Sequence, residues 1–174
     1  MAEFALPSKP ALDRPPIRGD GLSIAYQQGG AIVQVLARAA QADVARIRRA
    51  LDGIACSVRP LGPGQWLLVF DQEADEAERR DLAALLPGAA LVEQSAGRIR
   101  IRVAGANAAH VLAKGAAIDF DEREFPVGSG TPCLVGHIPA HVARLGKDSF
   151  ELVVLRSFAQ SLWHDLAEMS AEYL

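Results

Sequence analysis

The sequence predicts a mixed α/β (α+β) fold made of two similar ferredoxin-like split βαβ lobes. Three observations carry that prediction. Each half runs strand–helix–strand–strand–helix by hydrophobic period. An octapeptide pattern recurs: Gly62-Pro63-Gly64-Gln65-Trp66-Leu67-Leu68-Val69 matches Gly146-Lys147-Asp148-Ser149-Phe150-Glu151-Leu152-Val153. Half of the residues are hydrophobic and 22% are charged, so the chain can bury a core and global disorder is excluded.

Residues 1–21 carry Pro7, Pro10, Pro15 and Pro16 and read as an extended arm, either a disordered tail or a segment that orders against a partner. Phe4, Leu6, Leu12 and Ile17 are its possible anchors. The first lobe is expected over 22–94. Leu22, Ile24 and Tyr26 alternate with polar or small residues as in a half-buried strand. After Gly29 and Gly30, Ile32 to Leu36 form a second strand. Val44, Ile47 and Leu51 recur at helical spacing. Cys56 and Val58 lie in a short strand. Trp66 to Phe70 is apolar on both faces, which predicts a central strand. Glu73 to Leu86 reads as a helix with Leu82, Leu85 and Leu86 inward, and Leu91 and Val92 as a short strand.

The second lobe is expected over 95–174. Ile99, Ile101 and Val103 face one way along a strand, and Arg98, Arg100 and Arg102 the other. A helix follows, with Ala108, Val111 and Leu112 inward. Residues 115–131 form a loop. Cys133–Ile138, Val142–Leu145 and Phe150–Leu155 are strands. Ser157 can cap a last helix whose apolar face carries Phe158, Leu162, Leu166, Met169 and Tyr173.

The net charge is −3, so nothing points to nucleic acid or an anionic membrane. No apolar run approaches the ~20 residues of a membrane helix. The N-terminus has no basic start followed by an apolar stretch, so a cytoplasmic chain is expected. Cys56 and Cys133 are expected as reduced, largely buried thiols, with a disulfide or a reactive thiol as the alternatives.

The search for catalytic motifs is empty. There is no GxGxxG, phosphate loop, CxxC, HExxH or GxSxG. His137 and His141 have a metal-ligand spacing only on a helix, and Pro139 between them argues for a strand. His110 and His164 fall on polar helix faces. The carboxylates of 119–124 (Asp119, Asp121, Glu122, Glu124) read as a solvated loop, with capping or a partner contact as the alternative for Asp119. The row Arg98, Arg100 and Arg102 suits an anion or a partner carboxylate, and equally a charged edge strand. No catalytic, cofactor-binding or metal residue is assigned to this chain.

The run Gln94-Ser95, Gly97-Arg98-Ile99, Ile101, Val103, Gly105, Ala108 and Leu112, then Ile118-Asp119 and Phe125-Pro126-Val127-Gly128, resembles the gamma subunit of heterotetrameric sarcosine oxidase. The resemblance continues through Gly146, Asp148, Phe150 and Leu152 to Arg156-Ser157-Phe158-Ala159-Gln160-Ser161-Leu162-Trp163. The parts before that last stretch also resemble the folate-binding domain of glycine-cleavage aminomethyltransferases. That wider family carries Asp ahead of the serine, where this sequence has Glu93 and Gln94.

What the resemblance implies is a non-catalytic, structural subunit of a cytoplasmic bacterial complex of four different chains. Such a complex oxidatively demethylates sarcosine to glycine and reduces oxygen to peroxide. The one-carbon unit leaves as formaldehyde or as methylene-tetrahydrofolate. FAD, FMN, NAD and tetrahydrofolate are then expected in the larger alpha and beta partner subunits, and zinc in the small delta subunit. The alternatives are a stand-alone folate-binding one-carbon transfer protein and a gamma-like subunit of a related N-methyl amino acid dehydrogenase.

Overall fold

The computed structural model describes residues 10–38, 43–73 and 75–174. It contains two antiparallel sheets. The strands are β1 (Ile17–Gly19), β2 (Leu22–Gln27), β3 (Ala31–Ala37), β4 (Cys56–Gly62), β5 (Gln65–Phe70), β6 (Ala89–Glu93), β7 (Arg98–Ala104), β8 (Gly130–Val135), β9 (Ile138–Gly146) and β10 (Ser149–Leu155). The helices are α1 (Val44–Ala50), α2 (Glu76–Leu85), α3 (Ala108–Ala113) and α4 (Ala159–Met169).

The four-stranded sheet has the order β4-β5-β3-β6, and the six-stranded sheet the order β1-β2-β7-β10-β9-β8. In the first, the chain runs β3-α1-β4-β5-α2-β6, which is a complete split βαβ unit. In the second, β7-α3-β9-β10-α4 repeats the pattern, and the seat of the fourth strand beside β7 is taken by β2. Strands β5 and β10 thus hold equivalent central positions, each between the first and second strands of its unit. The hairpin β8–β9 turns at Gly136-His137 and adds an outer strand.

This order corrects the expected lobe boundary. Leu22–Gln27 does not belong with the first lobe. Ile24 pairs with Val103 and Leu22 packs in the second lobe's core, so the first lobe begins at β3. The reason is packing: the exposed edge of β7 needs an apolar strand, and β2 alternates in the matching phase. The segment before Leu22 is also not wholly separate. Leu12 is 3% exposed within the same core, and β1 pairs with β2.

Each sheet buries one face under helices. Val33, Val35, Trp66 and Leu68 meet Ile47 and Leu51 near α1 and Leu82 and Leu86 of the α2 region. Leu85, expected inward, is exposed at 41%. Ile24, Ile99, Ile101, Val103, Phe150, Leu152 and Val154 meet α3 and α4 through Ala108, Val111, Leu112, Leu162 and Leu166. The opposite faces of the two sheets meet each other. Ile32, Leu67 and Val69 close on Val153 there. That explains why β5 is apolar on both sides.

Candidate functional site

The seam between the sheets is apolar at Val153 and ionic beside it. Residues two apart on a strand share a face, so Glu151 of β10 points into the seam as Val153 does, and it has no exposed surface. Phe150, one residue earlier, turns to the helix side of the sheet and joins that core.

Three arginines converge on Glu151. Arg59 of β4 donates from Nη2 to Oε1 at 2.7 Å. Arg100 of β7 donates from Nε to Oε2 at 3.1 Å, and Arg102 of β7 from Nη2 to Oε2 at 3.1 Å. Strand pairing explains the placement, because Glu151 lies opposite Arg102 in the β7–β10 register. Arg100 reaches further, donating from Nη1 to the Phe70 carbonyl at 2.9 Å and from Nη2 to the exposed Asp71 carboxylate. Arg59 Nε donates to Ser57 Oγ at 3.0 Å.

Burial alone would raise the Glu151 carboxyl, but Arg59 and Arg100 outweigh it and hold it below the usual range. The hydrogen bond from Arg100 lowers Asp71. Burial lowers Arg59, against the opposing pull of Glu151. His141 of β9 also lies on the seam, with Nε2 at 3.0 Å from the Pro60 carbonyl oxygen. Burial, then the Arg59 charge, pushes it down to about 4. A cleft of about 350 Å³ opens beside the cluster, lined among others by Cys56, Ser57, Arg59, Asp71, Arg100 and Arg102.

Two of the three arginines of the row, Arg100 and Arg102, are therefore brought to the cluster, Arg98 is not among its bonded residues, and the edge-strand reading of the row is corrected. Strand β7 lies between β2 and β10, and Arg100 is 5% exposed. The sequence does not single out Glu151 or Arg59. The signal available is one acid inside an otherwise apolar strand. The other candidates stay apart. His137 is exposed in the hairpin turn while His141 is buried. His110 is exposed, and His164 pairs with Glu168 at 3.2 Å. Asp119 caps the Asp121 N–H at 2.9 Å, and Asp121 pairs locally with Arg123. Cys56 and Cys133 are free and half-buried, and burial pushes both thiols up. Among the described residues, no group of three or more His, Cys, Asp or Glu could hold a metal ion. Among the same residues, no helix is long and apolar enough to cross a membrane.

A curated relative, sarcosine oxidase subunit gamma of Corynebacterium sp. (strain U-96), is 26% identical over 113 residues, covering 65% of this chain and 55% of the relative. The chain thus matches about half the length of that relative. Among solved structures, a chain of heterotetrameric sarcosine oxidase from Corynebacterium sp. U-96 in complex with pyrrole 2-carboxylate superposes with a TM-score of 0.76 at 21% identity, over 90% of this chain and 88% of that one. Glycine cleavage system aminomethyltransferase T from Bartonella henselae gives a TM-score of 0.59 at 14% identity, over 86% of this chain and 46% of that one. These two likenesses are likenesses of fold. The model of the sarcosine oxidase gamma subunit family matches residues 24–172, from within β2 into the last helical turn, and the chain belongs to that family.

Proposed function

We propose that this chain is the non-catalytic gamma subunit of a heterotetrameric sarcosine oxidase-type complex, with a structural and assembly role. The family match over nearly the whole described fold carries the reading. The seam supports it, because the chain's most buried ion pair, Arg59 with Glu151, is spent on joining its two sheets. In this reading the complex oxidatively demethylates sarcosine to glycine, with oxygen going to peroxide and the one-carbon unit to formaldehyde or methylene-tetrahydrofolate. FAD, FMN, NAD and tetrahydrofolate belong to the alpha and beta partners and zinc to the delta partner, all in the cytoplasm.

The test is copurification. A tagged full-length chain drawn from its native host should bring flavin-bearing larger chains and sarcosine oxidation with it. Separated from them, it should be colourless and inactive. A chain that purifies alone and binds tetrahydrofolate would overturn the proposal in favour of a stand-alone folate protein. A flavin band that stays with the separated chain would overturn its non-catalytic role.

A further inference from the structure

The ionic cluster has more positive charge and more donors than its described residues balance. Arg59, Arg100 and Arg102 face the buried Glu151 and the rim residue Asp71, whose side chain is 83% exposed and screened by water. The sum is three cations against two anions, one of them weak. Each guanidinium carries five N–H donors and no acceptor. Arg59 Nη1 and Arg102 Nε are buried and have no hydrogen-bond partner among the described residues, although Arg59 is 3% exposed. Unsatisfied donors of this kind in a native fold call for an explanation.

Neither of those two atoms has accessible surface, so a counter-charge reaches the cluster only through its open side, where a cleft lies. Arg59, Arg100 and Arg102 line it, and about a third of the Arg102 side chain is open to solvent. Its other walls include Ile54, Ala55, Val69 and Leu145. We propose that this cleft binds one carboxylate, seated on the open third of Arg102 beside Arg59 and Arg100, as the missing counter-charge of the seam. A planar two-oxygen anion matches the guanidinium fork. A single negative charge matches the excess. The apolar walls suit a carboxylate on a short carbon chain better than inorganic phosphate. Such a group comes either from a free small acid or from an Asp or Glu side chain of a partner subunit.

The full chain, with its arginine side chains labelled with nitrogen-15, is titrated with acetate at constant ionic strength. The Nε–H signals of Arg59 and Arg102 should shift and saturate. Inorganic phosphate should bind at least several-fold more weakly. Arg102→Gln should weaken acetate at least tenfold, and Asp71→Asn should tighten it, because it removes a competing anion. Ile54→Trp narrows the cleft without touching the cluster and should also abolish saturation, so the test survives a poorly folded Arg102 variant. A response that never saturates, or one unchanged by both Arg102→Gln and Ile54→Trp, overturns the proposal. The source is read from assembly. Saturating acetate, against matched chloride, should weaken assembly if a partner's side chain fills the seat and leave it unchanged if a free acid does.

Discussion

Arg59 on β4 and Glu151 on β10 stand 2.7 Å apart across the seam, with 3% and none of their side-chain surfaces exposed. They come from different sheets and lie far apart in sequence. Forming the pair therefore requires both lobes to be folded and docked, which makes it a reporter of the whole architecture. Removing one partner of a buried pair leaves an uncompensated charge, a larger penalty than the pair itself contributes.

Glu151→Gln should accordingly lower the unfolding free energy by about 3–5 kcal/mol, since it strands three guanidinium groups at once. Arg59→Met should cost less, about 1–3 kcal/mol, because Arg100 and Arg102 still satisfy Glu151. Urea midpoints of the two variants check the ranking. Equal losses would mean that the cluster does not share its carboxylate in this way.

Acid should loosen the same seam. The folded His141 titrates at about 4 against 6.5 for a free imidazole. Between those values the unfolded chain binds the extra proton and the folded chain does not. Stability therefore falls as pH drops from about 6.5 to about 4, by roughly 3 kcal/mol in all at ~1.4 kcal/mol per unit. Glu151, held below its ordinary value, adds a further loss as the pH falls through its folded pKa. Urea midpoints in half-unit pH steps should show this slope, and His141→Gln should flatten it above pH 4. An unchanged slope would assign the acid sensitivity elsewhere.

Much of this is legible in the sequence. The double-sided apolarity of Trp66–Phe70 announces a strand with a helix layer on one side and another layer behind it, and both are present. The home of Leu22–Gln27 is not legible, because alternation identifies a strand without naming the edge it joins. The arginine row is visible as a row. The burial of Arg100 within it is not, since that depends on a second sheet that only tertiary docking places opposite. Glu151 is hidden for the same reason: within β10 it looks like one polar residue on a strand, and only Arg59 from the other lobe shows why it can be buried.

Gly30 gives a backbone test of the cluster. Its φ is +79, and a Cβ there would lie 2.3 Å from the Phe70 carbonyl oxygen and 2.5 Å from Arg100 Nη1. Those two atoms form the hydrogen bond that seats Arg100. Gly30→Ala should thus both strain the turn, at ~1–3 kcal/mol, and push Arg100 off its acceptor. A combined loss above that strain is expected in the urea midpoint. The double variant Gly30→Ala with Arg100→Met should lose less than the sum of the two single changes. Simple additivity would show that the glycine serves only the turn.

The N-terminal segment offers the last test. The sequence predicts residues 1–21 as an extended arm, either a disordered tail or a segment docked on a partner through some of Phe4, Leu6, Leu12 and Ile17, with no part in the fold of 22–174. Phe4 and Leu6 lie outside the described residues. Leu12 and Ile17 do not reach outward: Leu12 is buried in the core of the six-stranded sheet, Ile17 packs against that core, and Ile17 pairs with Ile24. The reason is that β2 fills the fourth-strand seat of the second lobe, which brings the preceding residues onto the same core. Deleting residues 2–18 should therefore destabilise the chain, with Leu12→Ala alone accounting for about 2–4 kcal/mol. Thermal and urea unfolding of the two variants checks this. If the chain lacking 2–18 is as stable as the full one, Leu12 contributes nothing to the fold, and the segment is free to act as an arm for a partner. If both variants are destabilised, the segment from Pro10 onward is part of the second lobe.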